Sequence, residues 1–344
     1  METVLIYRLG SMGDTVVALP CFHKIALTYP DARRIVITNR PVATSAAALE
    51  QILGGSGLVH GYIDYPLCLR NPLAIARLAR EIKQSGARVL VYLTDRPQLL
   101  GVLRDIAFFR LLGIRRIIGA PIRKEQRRCK TDDKTGIQEP EAERLARCLS
   151  SLGRIDLDDA HAWNLRLRRD EIERASHSLS PLAGGAFIAV HVGTKDAAKD
   201  WGEENWAKLL AELSREYPDL GLVFIGAADE AARCADLAAN WRGPILNLCG
   251  NLPPRSSAVV LSRAMLFIGH DSGPMHLAAS QGTRCVALFG DHEPPRRWHP
   301  YGASHRIIHD MRGVRAIEPK QVLRQICEAL DESTTRPLTS AHVQ

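Results

Sequence analysis

The chain has 344 residues, 46% of them hydrophobic and 24% charged, which is typical of a globular protein with room for two ordinary domains. No run of about 18 uncharged apolar residues occurs, and METVLIYRLG lacks the features of a signal peptide, so we expect neither a transmembrane helix nor export. Residues 1–170 carry 27 Lys and Arg against 18 Asp and Glu, whereas the remainder carries 18 against 20. This asymmetry predicts an anionic partner for the first half, and a solvated basic surface is the alternative.

The first half alternates short apolar runs with helical segments, a rhythm typical of a parallel sheet covered by helices. Strands are predicted at 4–8, 35–38, 88–93 and 115–119. Helices are predicted at 14–29, 43–53, 72–84 and 97–112. Residues 121–140 are charged and turn-rich, which predicts a loop, and a helix is expected at 140–152.

A second series of strands and helices follows a predicted linker at 180–185. Its strands are predicted at 187–193, 222–226, 245–248, 265–270 and 285–290. Its helices are predicted at 203–216, 228–240, 255–263, 273–281 and 319–331. We therefore expect two doubly wound α/β domains, 1–170 and 182–331, facing each other across a cleft, with a disordered tail at 332–344. Ligands of such sheets bind beyond the carboxyl ends of the strands, so the segments after strands are the candidate sites.

The segment RLGSMGDTVVALP follows the first strand, and its Gly10 and Ser11 make a tight turn before Asp14. Asp14 is interpreted either as a helix cap or as a general base. The turn lacks the GxGxxG pattern of dinucleotide-binding proteins, so it is weak evidence for NAD.

Two segments of the second half suit a phosphate group. Thr194 and Lys199 place a hydroxyl and an ammonium group after strand 187–193, where they suit a pyrophosphate. Trp201 and Trp206, close by, are interpreted as packing residues. In GHDSGPMHLAA, Ser272-Gly273-Pro274 opens a helix whose free N–H groups form an anion site.

Further polar side chains accompany these segments. Asp271 precedes the helix opening, and His276 lies one turn into the helix. In the Pro-rich stretch 289–302, Arg296 and Arg297 are interpreted either as phosphate contacts or as solvated surface residues.

These segments, in this order, resemble glycosyltransferase family 9, which contains the ADP-heptose:lipopolysaccharide heptosyltransferases of Gram-negative bacteria. The resemblance covers most of residues 1–302, and DSGPMHLA at 271–278 is its most specific part. It implies two Rossmann-like domains of the GT-B type and an inverting transfer that needs no metal ion and no cofactor. The loop between Thr194 and Lys199 is one residue longer than the family pattern, and DHEPPRRWHPYG also departs from it.

The resemblance also implies a role for each matching residue. Asp14 is expected to be the catalytic base, with Ser11 beside it. The donor diphosphate and sugar are assigned to Thr194, Lys199, Asp271, Ser272, Gly273 and His276. The nucleoside is assigned to Glu230 and Leu252. Basic residues on the acceptor side are expected to be Arg123, Lys124, Arg127, Arg128, Arg296 and Arg297.

The expected partners are a nucleotide-sugar donor and an anionic, lipid-anchored lipopolysaccharide core, with no nucleic acid. We therefore expect a cytoplasmic protein in peripheral contact with the inner membrane. Three alternatives stay open: an NAD(P)-dependent oxidoreductase, a sugar-nucleotide epimerase of similar architecture, and a two-lobed binding protein.

Overall fold

The computed structural model describes residues 1–39, 48–66, 71–194 and 196–335. The strands are β1 Thr3–Tyr7, β2 Arg33–Thr38, β3 Gly61–Asp64, β4 Val89–Tyr92, β5 Arg116–Ile118, β6 Phe187–His191, β7 Gly221–Phe224, β8 Ile245–Asn247, β9 Leu266–His270, β10 Cys285–Phe289 and β11 Arg306–His309. The α-helices are α1 Met12–Val17, α2 Leu19–Thr28, α3 Leu49–Leu53, α4 Pro72–Gln84, α5 Leu99–Leu111, α6 Lys124–Arg127, α7 Glu141–Cys148, α8 Arg169–Leu179, α9 Glu203–Glu216, α10 Ala231–Leu237, α11 Pro254–Ser262, α12 Gly273–Ser280 and α13 Pro319–Thr335.

Two separate sheets form, and every strand pairing in them is parallel. The first has the order β3-β2-β1-β4-β5 and the second the order β11-β10-β9-β6-β7-β8. In each sheet the chain moves outward from its first strand and then returns to that strand's other side. The strand order thus reverses between β1 and β4 and between β6 and β9, the points where doubly wound sheets bind ligands.

The chain divides into two compact units. The first unit contains Met1–Arg169 and Pro294–Tyr301, and the second contains the rest. The sequence analysis had placed 294–301 in the second domain. Backbone and ring contacts explain the difference: the N–H of Glu141 donates to the carbonyl of Arg297 at 3.0 Å, and Tyr301 stacks on Trp163.

Each unit buries its own core. In the first, residues of α4 and α5 pack on the tyrosines of β1 and β4. In the second, Trp201 and Trp206 are fully buried, which confirms that they are packing residues. Within the described ranges, no helix has the length and apolarity needed to cross a membrane.

Most predicted elements are present, and α4 and α9 match their predicted bounds to the residue. The helix predicted at 14–29 divides at Ala18, because α2 begins there with a proline in its first turn. Two edge strands, β3 and β11, were not predicted; their sequences are GYID and RIIH. The charged helix α8 was missed, and a short helix, α6, lies in the predicted loop 121–140. Parts of two predictions, 43–47 and 336–344, lie outside the described residues.

Candidate functional site

The turn after β1 holds the side chain of Asp14 in a fixed position. Ser11 is the N-cap of α1 and Asp14 is its third residue, so Asp14 is not itself the cap. The backbone N–H of Ser11 donates to Asp14 Oδ2 at 2.7 Å, and its hydroxyl donates to the same oxygen at 3.0 Å. Gly10 has φ +139°, and a Cβ there would lie 2.6 Å from the Cβ of Asp14. The turn therefore requires glycine at this position.

A buried arginine, which the sequence analysis did not single out, lies next to the side chain of Asp14. Arg8 is 1% exposed, and its Nη1 donates to the carbonyl of Leu93 at 2.6 Å. Its Nη2 lies 3.6 Å from Asp14 Oδ1, and 31% of the Asp14 side chain remains exposed. Ser11 thus holds Oδ2 and Arg8 faces Oδ1, so both carboxylate oxygens are held in position.

In the second unit, Lys199 and Asp271 form a partly buried ion pair. Lys199 Nζ donates to Asp271 Oδ2 at 2.5 Å, and the two side chains are 21% and 13% exposed. Lys199 ends a 3-10 turn after β6, and Asp271 directly follows β9. Thr194 accepts a hydrogen bond from the N–H of Asp196 at 3.2 Å, which shapes the same turn. The sequence did not identify Asp271 as the partner of Lys199.

The start of α12 presents polar groups beside this pair. Ser272 is the N-cap, and its hydroxyl is buried with no hydrogen-bond partner in the described part of the chain. Gly273 begins the helix, and His276 is buried one turn later. Buried hydroxyls are almost always hydrogen-bonded. An unpaired hydroxyl at a helix N-terminus is therefore suited to an anionic oxygen.

Glu230 lies against two glycines at the ends of β6 and β7. A Cβ at Gly193 would lie 1.6 Å from Glu230 Oε1, and one at Gly226 would lie 2.0 Å from Oε2. The N–H of Ala227 donates to Glu230 Oε2 at 2.9 Å. The carboxylate is thus fixed at the carboxyl edge of the sheet. Leu252, also predicted to contact the nucleoside, is half-buried in the loop after β8.

Two further contacts, missed from the sequence, hold the loop after β6. His270 accepts the N–H of Trp201 at 3.1 Å, and burial, together with His191, lowers the pKa of His270 to about 3. Arg233 donates to both oxygens of Asp200 at 2.9 and 3.1 Å. Although burial opposes ionisation of Asp200, its hydrogen bonds from Arg233 and Gly202 lower its pKa.

The six predicted acceptor-side basic residues all lie in the first unit, in two groups. Arg123, Lys124 and Arg128 are exposed, whereas Arg127 donates to the carbonyl groups of Pro121 and Ile122. All four belong to or flank α6.

The other two arginines are paired with carboxylates of their own unit. Arg297 donates to Asp95 at 3.0 Å, and Arg296 lies 3.5 Å from Glu143. These contacts hold the segment 294–301 on the first unit. Across the described ranges, no group of three or more His, Cys, Asp or Glu residues has the arrangement of a metal site.

Comparison with known proteins identifies the family. The model of glycosyltransferase family 9 (heptosyltransferase) matches residues 111–321, more than half of the chain. Lipopolysaccharide heptosyltransferase 3 of Escherichia coli K12 is 28% identical over 115 residues, 33% of this chain and 33% of that protein. The aligned part thus spans about a third of the length of this curated relative.

Solved structures match over nearly the whole chain. The glycosyl transferase family 9 protein from Veillonella parvula superposes with a TM-score of 0.73 at 18% identity, covering 96% of this chain and 98% of that one. Escherichia coli heptosyltransferase WaaC with ADP-2-deoxy-2-fluoro heptose gives 0.65 at 16% identity, covering 95% and 99%. The likeness confirms the predicted α/β fold of the GT-B type. Together with the family match, it shows that the chain belongs to glycosyltransferase family 9.

Proposed function

We propose that this protein is an inverting, metal-independent glycosyltransferase. It moves a heptose, or a related sugar, from an ADP-sugar to an anionic lipopolysaccharide core. It works at the cytoplasmic face of the inner membrane of a Gram-negative bacterium. The family match and the names of the relatives support the reaction class and the acceptor class.

The observation that carries the proposal is the unpaired Ser272 hydroxyl beside the Lys199–Asp271 ion pair. A diphosphate leaving group needs donors and positive charge where its own charge develops. The Ser272 hydroxyl, the α12 N-terminus and the Lys199 ammonium supply both. Asp271 is assigned to the hydroxyls of the donor sugar, and Thr194 is assigned to the diphosphate. His276 is assigned a supporting role in the same site.

The nucleoside is assigned to the edge of the sheet next to this phosphate site. The fixed carboxylate of Glu230 is suited to the two hydroxyls of a ribose. Leu252 supplies an apolar contact for adenine. Escherichia coli heptosyltransferase WaaC shares this fold, and a structure of it with ADP has been solved. That structure supports ADP as the nucleotide part of the donor.

Asp14 is assigned as the general base. Glycosyl transfer proceeds through an oxocarbenium-like transition state, and the attacking hydroxyl must lose its proton. Ser11 holds Oδ2 and Arg8 lies 3.6 Å from Oδ1, so the carboxylate is fixed in position, and we assign its exposed part to accept that proton. Help from a general base is worth about 10²–10⁴-fold in rate.

The acceptor is assigned to the basic residues of the first unit. The segment around α6 exposes Arg123, Lys124 and Arg128 without a neighbouring carboxylate ion pair in the described contacts. Arg296 and Arg297 already pair with Glu143 and Asp95, so we assign them a smaller share of acceptor binding.

A ligand screen followed by a turnover assay tests the proposal. ADP and ADP-sugars should raise the melting temperature more than the UDP, GDP and CDP compounds do. A ligand at 100 times its Kd adds about 2.7 kcal/mol to the free energy of unfolding. ADP release should then require both donor and acceptor. Conversion of the donor without acceptor would instead identify an epimerase, and a response to NAD(P)H alone would identify an oxidoreductase.

A further inference from the structure

Leucines make up much of the outward face of α5. Leu100 and Leu111 are 80% and 82% exposed, and Leu99 and Leu103 are 39% and 44% exposed. With the exposed Ala107, positions 100, 103, 107 and 111 recur at spacings of three and four residues, so they form one stripe along the helix. We call this stripe the α5 leucine face.

The opposite side of α5 fixes this orientation. Val102, Asp105 and Phe109 are buried, and Phe109 packs in the core of the first sheet. Asp105 accepts hydrogen bonds from Tyr92 at 2.9 Å and from Arg96 at 3.0 Å. Because these contacts hold the inner side, the leucines cannot turn inward. Surface helices normally expose polar residues, so a row of exposed leucines indicates a binding surface.

The surroundings of the stripe are basic. On α5 itself, Arg110 is exposed, whereas the exposed Arg104 pairs with Asp105, the buried carboxylate of the same helix, at 2.9 Å. The neighbouring helix α4 packs Leu78 and Ile82 into the same core as Phe109, so both helices cover one face of the sheet. The outward cations of α4 are Arg77, Arg80 and Lys83.

An anionic lipid surface fits this combination better than a protein partner does. A helix with leucines on one face and cations around them is typical of helices that lie in the membrane interface. The leucines enter the boundary between headgroups and acyl chains, and the arginines meet lipid phosphates.

We propose that the α5 leucine face and the outward side of α4 bind the surface of an anionic bilayer. The inference deepens the proposed function, on which it rests for a lipid-anchored acceptor. The position of α5 agrees with this role. It follows β4, which pairs with β1, so its first turn lies at the same sheet edge as Asp14. A bilayer bound there lies next to the edge that carries the assigned base.

Vesicle co-sedimentation of the full-length chain tests this inference. Phosphatidylcholine vesicles containing phosphatidylglycerol are compared with vesicles of phosphatidylcholine alone, without donor or acceptor. The wild type should bind the anionic vesicles more tightly. Leu100→Gln should lower the partition coefficient about tenfold, because one exposed leucine no longer enters the interface. Leu27→Gln is the matched control, since Leu27 is 75% exposed on α2, and its binding should equal that of the wild type.

A charge variant separates the contribution of the cations to vesicle binding from that of the leucines. Arg77→Gln combined with Arg80→Gln should weaken binding to the anionic vesicles while leaving the weak binding to neutral vesicles unchanged. Equal loss on both vesicle types would contradict the assignment of these cations to lipid phosphates.

Three results would overturn the proposal. They are absence of vesicle binding by the wild type, equal binding of Leu100→Gln and wild type, and a wild-type dimer that Leu100→Gln converts to a monomer in light scattering. The last would assign the face to a second copy of the chain. Transfer to a soluble, delipidated acceptor is measured separately, so failure of vesicle binding and failure of the proposed reaction are distinguishable.

Discussion

Replacing Lys199 by alanine tests the phosphate site directly. In the structure its ammonium group is 2.5 Å from Asp271 Oδ2, and both side chains are mostly buried. The variant removes a cation from the assigned diphosphate position and leaves the Asp271 carboxylate without its ion-pair partner. Both effects oppose the binding of a second anion at this position.

The expected magnitude follows from the charge of the contact. A hydrogen bond to a charged group is worth about 1.5–3 kcal/mol, which corresponds to an increase of about 10- to 150-fold in Kd. Isothermal titration calorimetry should show this loss for ADP and for ADP-sugars. Adenosine has no phosphate, so its affinity should change by less than about twofold.

Two further variants make the result specific. Lys208→Ala removes an exposed lysine of the same unit, whose pair with Glu204 is a solvent-screened surface contact, and it should leave ADP binding unchanged. Adding Asp271→Asn to Lys199→Ala removes the unpaired carboxylate. Full recovery of ADP affinity in that double variant would show that repulsion, and not a lost lysine contact, caused the effect. Equal losses for adenosine and ADP would refute the assignment.

The remaining predictions concern the base, the acceptor and pH. Asp14→Asn should keep donor affinity but lower turnover at least about 10²-fold, and near-normal turnover of the folded variant would exclude Asp14 as the base. Raising salt should raise the acceptor's KM and not the donor's. The same KM change should follow, at low salt, from neutralising Arg123, Lys124, Arg127 and Arg128. A salt effect confined to the donor would contradict this. Burial lowers the pKa of His270 to about 3, whereas the unfolded value is about 6.5. As the pH falls, the unfolded chain therefore binds a proton at this histidine before the folded protein does. The contribution of neutral His270 to the free energy of unfolding is complete above pH 6.5 and declines as the pH falls toward 3, by at most about 1.4 kcal/mol per pH unit. Chemical denaturation at pH 7.5 and 5 should show a smaller decline for His270→Gln, and equal declines would contradict the reasoning.

The sequence predicted the elements that have strong apolar patterns. Buried runs such as FIAVH and CVALF were assigned as strands because parallel sheets covered on both faces bury every residue of a strand. The edge strands β3 and β11 were missed because GYID and RIIH have mixed sequences, whereas the edge strands β5 and β8 were predicted. The helix α4 was predicted from the pattern of 72–84, and the structure adds a start signal that the sequence analysis did not use, because Asn71 caps the helix and Pro72 is its first residue.

Contacts between distant residues could not be predicted from the sequence. Lys199 and Asp271 are 72 positions apart, and they meet only because β6 and β9 are neighbours in the sheet. The return of 294–301 to the first unit depends on pairs such as Arg297 with Asp95, which no local pattern reveals. The contact between Arg8 and Asp14 was likewise not predicted. Arg8 ends an apolar run, and nothing in the sequence there indicates that its side chain is buried.

Product analysis of the acceptor tests the central claim most directly. The purified protein is incubated with ADP-heptose and a soluble anionic lipopolysaccharide core, with and without EDTA. Mass spectrometry and NMR then report the acceptor's mass and the anomeric configuration of the new bond. We predict a gain of one heptosyl unit, an anomeric configuration opposite to that of the donor, and no effect of EDTA. An unchanged acceptor, retained configuration or loss of transfer in EDTA would contradict the account.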